Sequence, residues 1–235
     1  MSLAELKKEV ESLADKKQAA NLQRFFKTGP GEYGEGDVFL GLKVPVQRSV
    51  AKRHKDLSLN AIQQLLDSKI HEYRLIALLI LMQKYYAAEE DSEVRKEIFG
   101  MYLKNTHNIN NWDLIDLSSP NIIGNYLLDK PRGILYKLAK SKSIWEKRIA
   151  MLATFEFIAN GEAKDALAIA EALVNDKHDL IQKAVGWMLR EVGKRVSQVE
   201  EEKFLKKHYK TMPRTMLRYA IERFDKKKKE FYMRK

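Results

Sequence analysis

One stretch of this chain recurs further along it, and nothing else constrains the fold as much. The segment S-K-I-H-E-Y-R-L-I-A-L-L at 68–79 can be laid over S-K-S-I-W-E-K-R-I-A-M-L at 141–152, with Ser, Lys, Arg, Ile, Ala and Leu matching to within one residue. A third stretch, D-K-H-D-L-I-Q-K-A-V-G-W at 176–187, has the same character. From Lys69 through Lys104 and Lys142 to Lys177 the steps are 35, 38 and 35 residues. That is about the length of a helix pair in HEAT-type repeats, where each pair buries its apolar face against its neighbours.

The residues between the repeats support the same reading. Apolar side chains recur at three- and four-residue steps almost everywhere, strand-type alternation is hard to find, and only 5 prolines and 11 glycines interrupt the chain. Leu3, Leu6, Val10 and Leu13, then Leu22, Phe25 and Phe26, mark one or two opening helices with Ser2 as cap. Helices are then expected over Val46–His54 behind Pro45, Leu59–Leu66 behind Ser58, His71–Tyr86, Asp91–Leu103, Trp112–Leu117 and Pro120–Leu128. Pro131–Ala139, Ile144–Ala159, Ala163–Val174, Leu180–Val192, Val199–Tyr209 and Met212–Phe224 complete the series. The expected fold is all-α: a single domain over 1–235, built as a curved α-solenoid of HEAT-like antiparallel helix pairs with a basic concave face.

Two segments stand apart. Residues 29–37, within a glycine-rich connection at 28–40, read G-P-G-E-Y-G-E-G-D. The spacing matches neither a P-loop nor a dinucleotide fingerprint, and Glu32, Glu35 and Asp37 would repel phosphate, so it reads as a surface loop. The basic tail at 225–235 reads as a solvated end able to add nonspecific phosphate affinity.

Composition narrows the function. With no cysteine, disulfides and thiolate–metal sites are excluded. The five histidines are scattered without a metal-binding pair, so neither a metal nor a cofactor is expected. No G-x-S-x-G elbow is present, and no Lys stands out as a Schiff-base nucleophile. The N-terminus carries acids where a signal peptide has its apolar run, and the longest apolar stretch, Leu75–Met82, is too short for a bilayer. A cytoplasmic, nucleoid-associated protein is expected. A net charge of +11 suits a polyanionic partner, where phosphate neutralisation releases counterions. Arg74, Arg148 and Lys183 occupy the same repeat position, so stacking would line them along one face; the alternative is that each pairs with a local acid or caps a helix.

The chemistry concentrates in N-N-W-D-L-I-D-L-S-S-P at 110–120. Trp112 and Asp116, four apart, share a helix face. An aromatic plane beside a carboxylate can stabilise a positive charge, although a buried Trp next to a helical Asp needs no function. The other tryptophans, Trp145 and Trp187, also lie within a turn of charged side chains.

The combination W-D-L-I-D, then I-W-E-K-R-I-A, then I-Q-K-A-V-G-W-M-L-R-E resembles the AlkD-like alkylpurine DNA glycosylases, which are built on HEAT-like repeats. The resemblance runs in order from about Phe25 to Arg190. It implies an active cleft of Trp112, Asp116, Arg148 and Trp187, joined by an opening-helix aromatic, here Phe25 where the family often has Tyr. It also implies hydrolysis of the N-glycosidic bond of 3-methyladenine or 7-methylguanine in duplex DNA. The lesion would stay stacked and the protein would act as a monomer. Asp116 would face the oxocarbenium-like sugar, Trp112 and Trp187 would supply cation–π attraction, and Arg148 would grip a phosphate. Lys27, Arg48, Lys183 and Arg190 are secondary phosphate candidates. The loss of a hydroxyl at Phe25 puts any hydrogen bond made there in question, and the glycine-rich loop is longer than in the best-known members. A non-catalytic DNA binder and a HEAT-like protein scaffold are the other readings.

Overall fold

A computed structural model describes residues 2–90 and 92–234. Among these there is no β-strand, only one isolated bridge between Val38 and Ile70. In chain order the helices are α1 (Leu3–Ser12), α2 (Lys16–Phe25), α3 (Val44–Arg53), α4 (Leu59–Leu66), α5 (His71–Ala87), α6 (Glu93–Lys104) and α7 (Trp112–Ser119). A π-helical turn, Pro120–Gly124, extends α7. Then come α8 (Gly133–Ala139), α9 (Ile144–Ala159), α10 (Lys164–Leu173), α11 (Asp179–Arg195), α12 (Gln198–His208), α13 (Arg214–Ala220) and α14 (Lys226–Met233). The expected start of α6 at Asp91 lies outside the described residues; the helix runs from Glu93, capped by Ser92.

Local chemistry explains most of the boundaries. Ser2 and Glu5 form a reciprocal capping box, while Asp15, Ser58, Ser143, Ser197 and Asp225 each accept a backbone N–H at the start of α2, α4, α9, α12 and α14. Among the described residues no helix is long and apolar enough to cross a membrane.

The backbone gathers into two compact units, Met1–Leu114 and Ile115–Lys235. In the first, α5 is the centre: α3 and α4 pack on it, and twelve of its side chains, from His71 to Tyr85, are buried. The glycine-rich connection is tied down at its far end, where the fully buried Glu72 carboxylate accepts the backbone N–H groups of Leu40, Gly41 and Leu42 at 2.8–3.2 Å. Nearer its tip, Glu32 and Glu35 fold back onto the Gly29 and Gly31 amides, at 2.9 Å each.

In the second unit α9 and α11 form the centre, with the π turn, α8 and α10 around α9, and α10, α12 and α13 around α11. Two glycines permit close approach. A Cβ at Gly124 would stand 2.3 Å from the Ala153 carbonyl, and one at Gly186 would stand 2.4 Å from that of Met216. The sequence suggests separate helices over 112–117 and 120–128, but the backbone runs on through the π turn. Pro120 has no N–H for the Asp116 carbonyl, so the register widens, and Asn125 donates to Pro120 five residues back.

The tail differs from expectation. Asp225 caps a helix, and Tyr232 at 2% exposure sits among Tyr209, Phe224 and Phe231. Four consecutive lysines conceal an apolar anchor.

Candidate functional site

Among the residues nominated by sequence, Phe25 and Trp112 meet in the first unit and Asp116 and Arg148 meet in the second. In the first, Trp112 opens α7 and is held from several sides. Its ring stacks on Phe26 (centroids 5.3 Å, planes 24°) and meets Phe25 edge-on at 5.9 Å. Its indole N–H donates to the Tyr33 hydroxyl at 3.3 Å, and that hydroxyl donates in turn to the Phe25 carbonyl at 3.5 Å. Phe25 is 62% exposed, with its ring open to a ligand. Tyr33 of the glycine-rich loop thus places a phenol hydroxyl beside Trp112. Nothing in the periodicity of the loop signals that role; only the resemblance, by expecting a phenol here, could have prompted a search for one.

Beneath Trp112 lies a buried ionic network. His71, 2% exposed, faces Asp113 through Nε2 (2.9 Å) and Asp37 through Nδ1 (3.2 Å). Asp37 also accepts from Arg74 at 2.7 Å and Asn111 at 3.3 Å. Burial works against the imidazolium, but the Asp113 charge and the hydrogen bonds to Asp113 and Asp37 outweigh it and push the His71 pKa up to about 9. Burial likewise opposes ionisation of Asp37, yet His71 and Arg74 hold its carboxyl below the usual range.

In the second cluster Asp116, from α7, receives Arg148 of α9 in a bidentate pair: Nε to Oδ1 and Nη2 to Oδ2, both 2.8 Å. The third guanidinium nitrogen donates to the Leu180 carbonyl at 2.5 Å. Arg148 is buried, whereas the Asp116 side chain keeps 17% of its surface. One turn on, the Ser119 hydroxyl bonds the Ile149 carbonyl at 2.9 Å, a second tie between the same helices. Trp187 of α11 is half-buried beside Phe155, 6.3 Å between centroids, and Arg195 covers Phe155.

The three cations at the shared repeat position each have an acidic partner, the alternative left open by the sequence. Arg74 is buried on Asp37 and the Ser68 carbonyl, Arg148 on Asp116, and Lys183 pairs with Asp179. A cation near the start of a helix that packs on a buried element finds a partner within the fold. Arg190 is likewise engaged, by Glu222 and Glu191. Lys27 and Arg48 differ: both are exposed and have no carboxylate partner among the described residues. Lys27 closes α2 with φ of 52°. Arg48 lines a groove of about 720 Å³ with Lys52, Lys55, Met82 and Tyr86. Among the described residues no three His, Cys, Asp or Glu side chains are placed to hold a metal ion.

A solved structure described as a predicted DNA alkylation repair enzyme from Enterococcus faecalis superposes with a TM-score of 0.68 at 16% identity, over 91% of this chain and 97% of that one. AlkD2 from Streptococcus mutans superposes with a TM-score of 0.54 at 17% identity, over 89% of this chain and 99% of that one. These likenesses are of fold. No curated protein sequence matches the chain. The family model for "DNA alkylation repair enzyme" matches residues 6–224, nearly the whole sequence, and the chain belongs to that family.

Proposed function

We propose that the protein is a monofunctional DNA glycosylase that hydrolyses the N-glycosidic bond of cationic alkylated purines, 3-methyladenine or 7-methylguanine, in duplex DNA. The observation that carries this reading is the Asp116–Arg148 pair: a carboxylate held in one orientation by two hydrogen bonds, yet still open to a ligand. As the bond between C1′ and the base nitrogen breaks, the electron pair goes to the base and neutralises it. The sugar is left as an oxocarbenium ion. A fixed carboxylate needs no reorganisation to stabilise that cation, and it can accept the proton of the water that adds to C1′. The base leaves as a neutral purine, so it needs no acid. On this reading the carboxylate works at the deoxyribose, and the base need not be flipped into a pocket.

Trp112 and Trp187 supply aromatic faces, each adding about 0.5–2 kcal/mol of cation–π attraction. Arg148 orients Asp116, a role its two hydrogen bonds support better than the grip on a phosphate suggested by the resemblance. Lys27 and Arg48, without a carboxylate partner among the described residues, are the better phosphate contacts, ahead of Lys183 and Arg190.

The same pair supports the second reading, a DNA binder that does not cleave, because a carboxylate facing guanidinium offers less field to a cation. Base release from a duplex carrying one 7-methylguanine separates the two. Release by the native protein, with a loss of at least a hundredfold in Asp116→Asn, is expected. Intact duplex binding without release would establish the binder instead.

A further inference from the structure

The two residues flanking Trp112 in sequence are tied to the same buried pair. Asn111 accepts the Trp112 backbone N–H through Oδ1 at 2.9 Å and donates to Asp37 through Nδ2 at 3.3 Å. Among the described residues the Asp113 side chain takes its one hydrogen bond from His71, at 2.9 Å. We propose that His71, as an imidazolium bridging Asp37 and Asp113, is the positioning residue that seats the Trp112 indole, and that loss of its proton releases it.

Donor and acceptor arithmetic underlies this. Both ring nitrogens face carboxylate oxygens, which can only accept, so both must carry hydrogen. The facing groups are Asp37, Asp113 and Arg74, together with Asn111 and the rings of Phe26 and Phe39; Glu72, next in sequence, is turned to the Leu40–Leu42 amides. With the imidazolium, two negative and two positive charges cancel. With a neutral ring, a net negative charge is left in a buried site, and one carboxylate must lose its bond. Asp37 would keep Arg74 and Asn111, whereas Asp113 would have nothing: its Oδ1 is already buried without a partner. Asp113 is also the more exposed, at 12% against 4% for Asp37, and so the easier to rehydrate. Deprotonation therefore frees the first turn of α7, and with it the contact of Trp112 on Phe26 and Tyr33. The rise of the His71 pKa to about 9 places that release on the alkaline side of neutrality.

The seating rests on the fold alone; its consequence for catalysis rests on the glycosylase reading. Trp145→Phe with Trp187→Phe leaves Trp112 as the sole tryptophan, and its fluorescence, excited at the red edge, reports its seat. In folded protein the emission should shift to the red as pH rises, with a midpoint near 9. His71→Gln should emit in the red-shifted state already at neutral pH and show no transition. Should His71→Gln not fold, Asp113→Asn tests the same link, because losing the main charge that raises the His71 pKa should move the midpoint well below 9. Flat emission to pH 10 in folded protein, or a transition unchanged by both substitutions, overturns the proposal. Release of 7-methylguanine by the unsubstituted protein is followed over the same range and should fall through the same midpoint. If the fluorescence transition appears without any base release, the seating stands and the glycosylase reading fails; base release with flat fluorescence means the reverse.

Discussion

Arg148 meets Asp116 along two parallel hydrogen bonds of 2.8 Å and spends its third nitrogen on the Leu180 carbonyl. The guanidinium is thus a bracket between α7 and the start of α11 through α9, and the orientation of Asp116 depends on it. Arg148→Lys keeps the charge but offers a point donor in place of a fork, so both carboxylate oxygens cannot be held at once. On the glycosylase reading, base release should fall by at least tenfold, chiefly in kcat. Arg148→Ala leaves Asp116 without its counter-charge and should in addition destabilise the fold by about 3 kcal/mol, read as a lower urea midpoint.

Gly186 tests whether the Trp187 helix tolerates any widening. Its missing Cβ makes room for the Met216 carbonyl and the Tyr219 Cβ of α13, at 2.4 and 2.5 Å. Neither atom can swing away, since one is backbone and the other is the root of a side chain. Gly186→Ala should cost about 1–3 kcal/mol in chemical denaturation, despite the better helix propensity of Ala.

Tyr232 predicts that the lysine-rich end is structural. Tyr232→Ala removes a buried ring from among Tyr209, Phe224 and Phe231 and should destabilise the second unit by about 3 kcal/mol. Substituting Lys226 and Lys227 by Gln should leave the denaturation midpoint within about 0.5 kcal/mol of native, because both are exposed.

Glu201 and His71 together predict a protein that weakens as pH rises. Burial, then the neighbouring Glu202, pushes Glu201 up to about 8, against the pull of Lys228 and Arg190. The native state thus keeps a proton that the unfolded chain gives up from about pH 4.5, and stability declines up to about pH 8. His71 keeps its proton to about 9 against 6.5 unfolded, so its contribution is complete below 6.5 and lost as pH rises through 9. Urea midpoints between pH 5 and 10 should fall throughout. Glu201→Gln should flatten the part below pH 8 and leave the His71 part in place.

Salt dependence separates paired from unpaired cations. Arg48 and Lys52 lie four apart on α3, where like charges repel, and neither has a carboxylate partner among the described residues. If they meet DNA phosphates, each Ala substitution should reduce the slope of log affinity against log salt by about 0.9. Arg190→Ala, at a residue already held by Glu222 and Glu191, should change it far less.

What the sequence by itself determined was the all-α class, the repeat and most of the helices, but not α14 or the continuation of α7 into its π turn. Leu59–Leu66 and Ile144–Ala159 have the ends that their periodicity implies, the first with its Ser58 cap, because apolar spacing and a cap act within a turn or two of chain. Trp112, Asp116, Arg148 and Trp187 were nominated for a different reason: they sit in motifs distinctive enough to resemble a family. Only the tertiary structure decided what each charge does. Arg74 and Arg48 look alike in sequence, but one is sealed against Asp37 and the other faces solvent. The partners that make the difference lie far apart along the chain. Asp37 reaches His71, Arg74 and Asn111, and Tyr33 reaches Trp112. A charge or a phenol acquires its role from the dielectric and the donors around it. Those are set by packing between distant segments, and no local pattern records them.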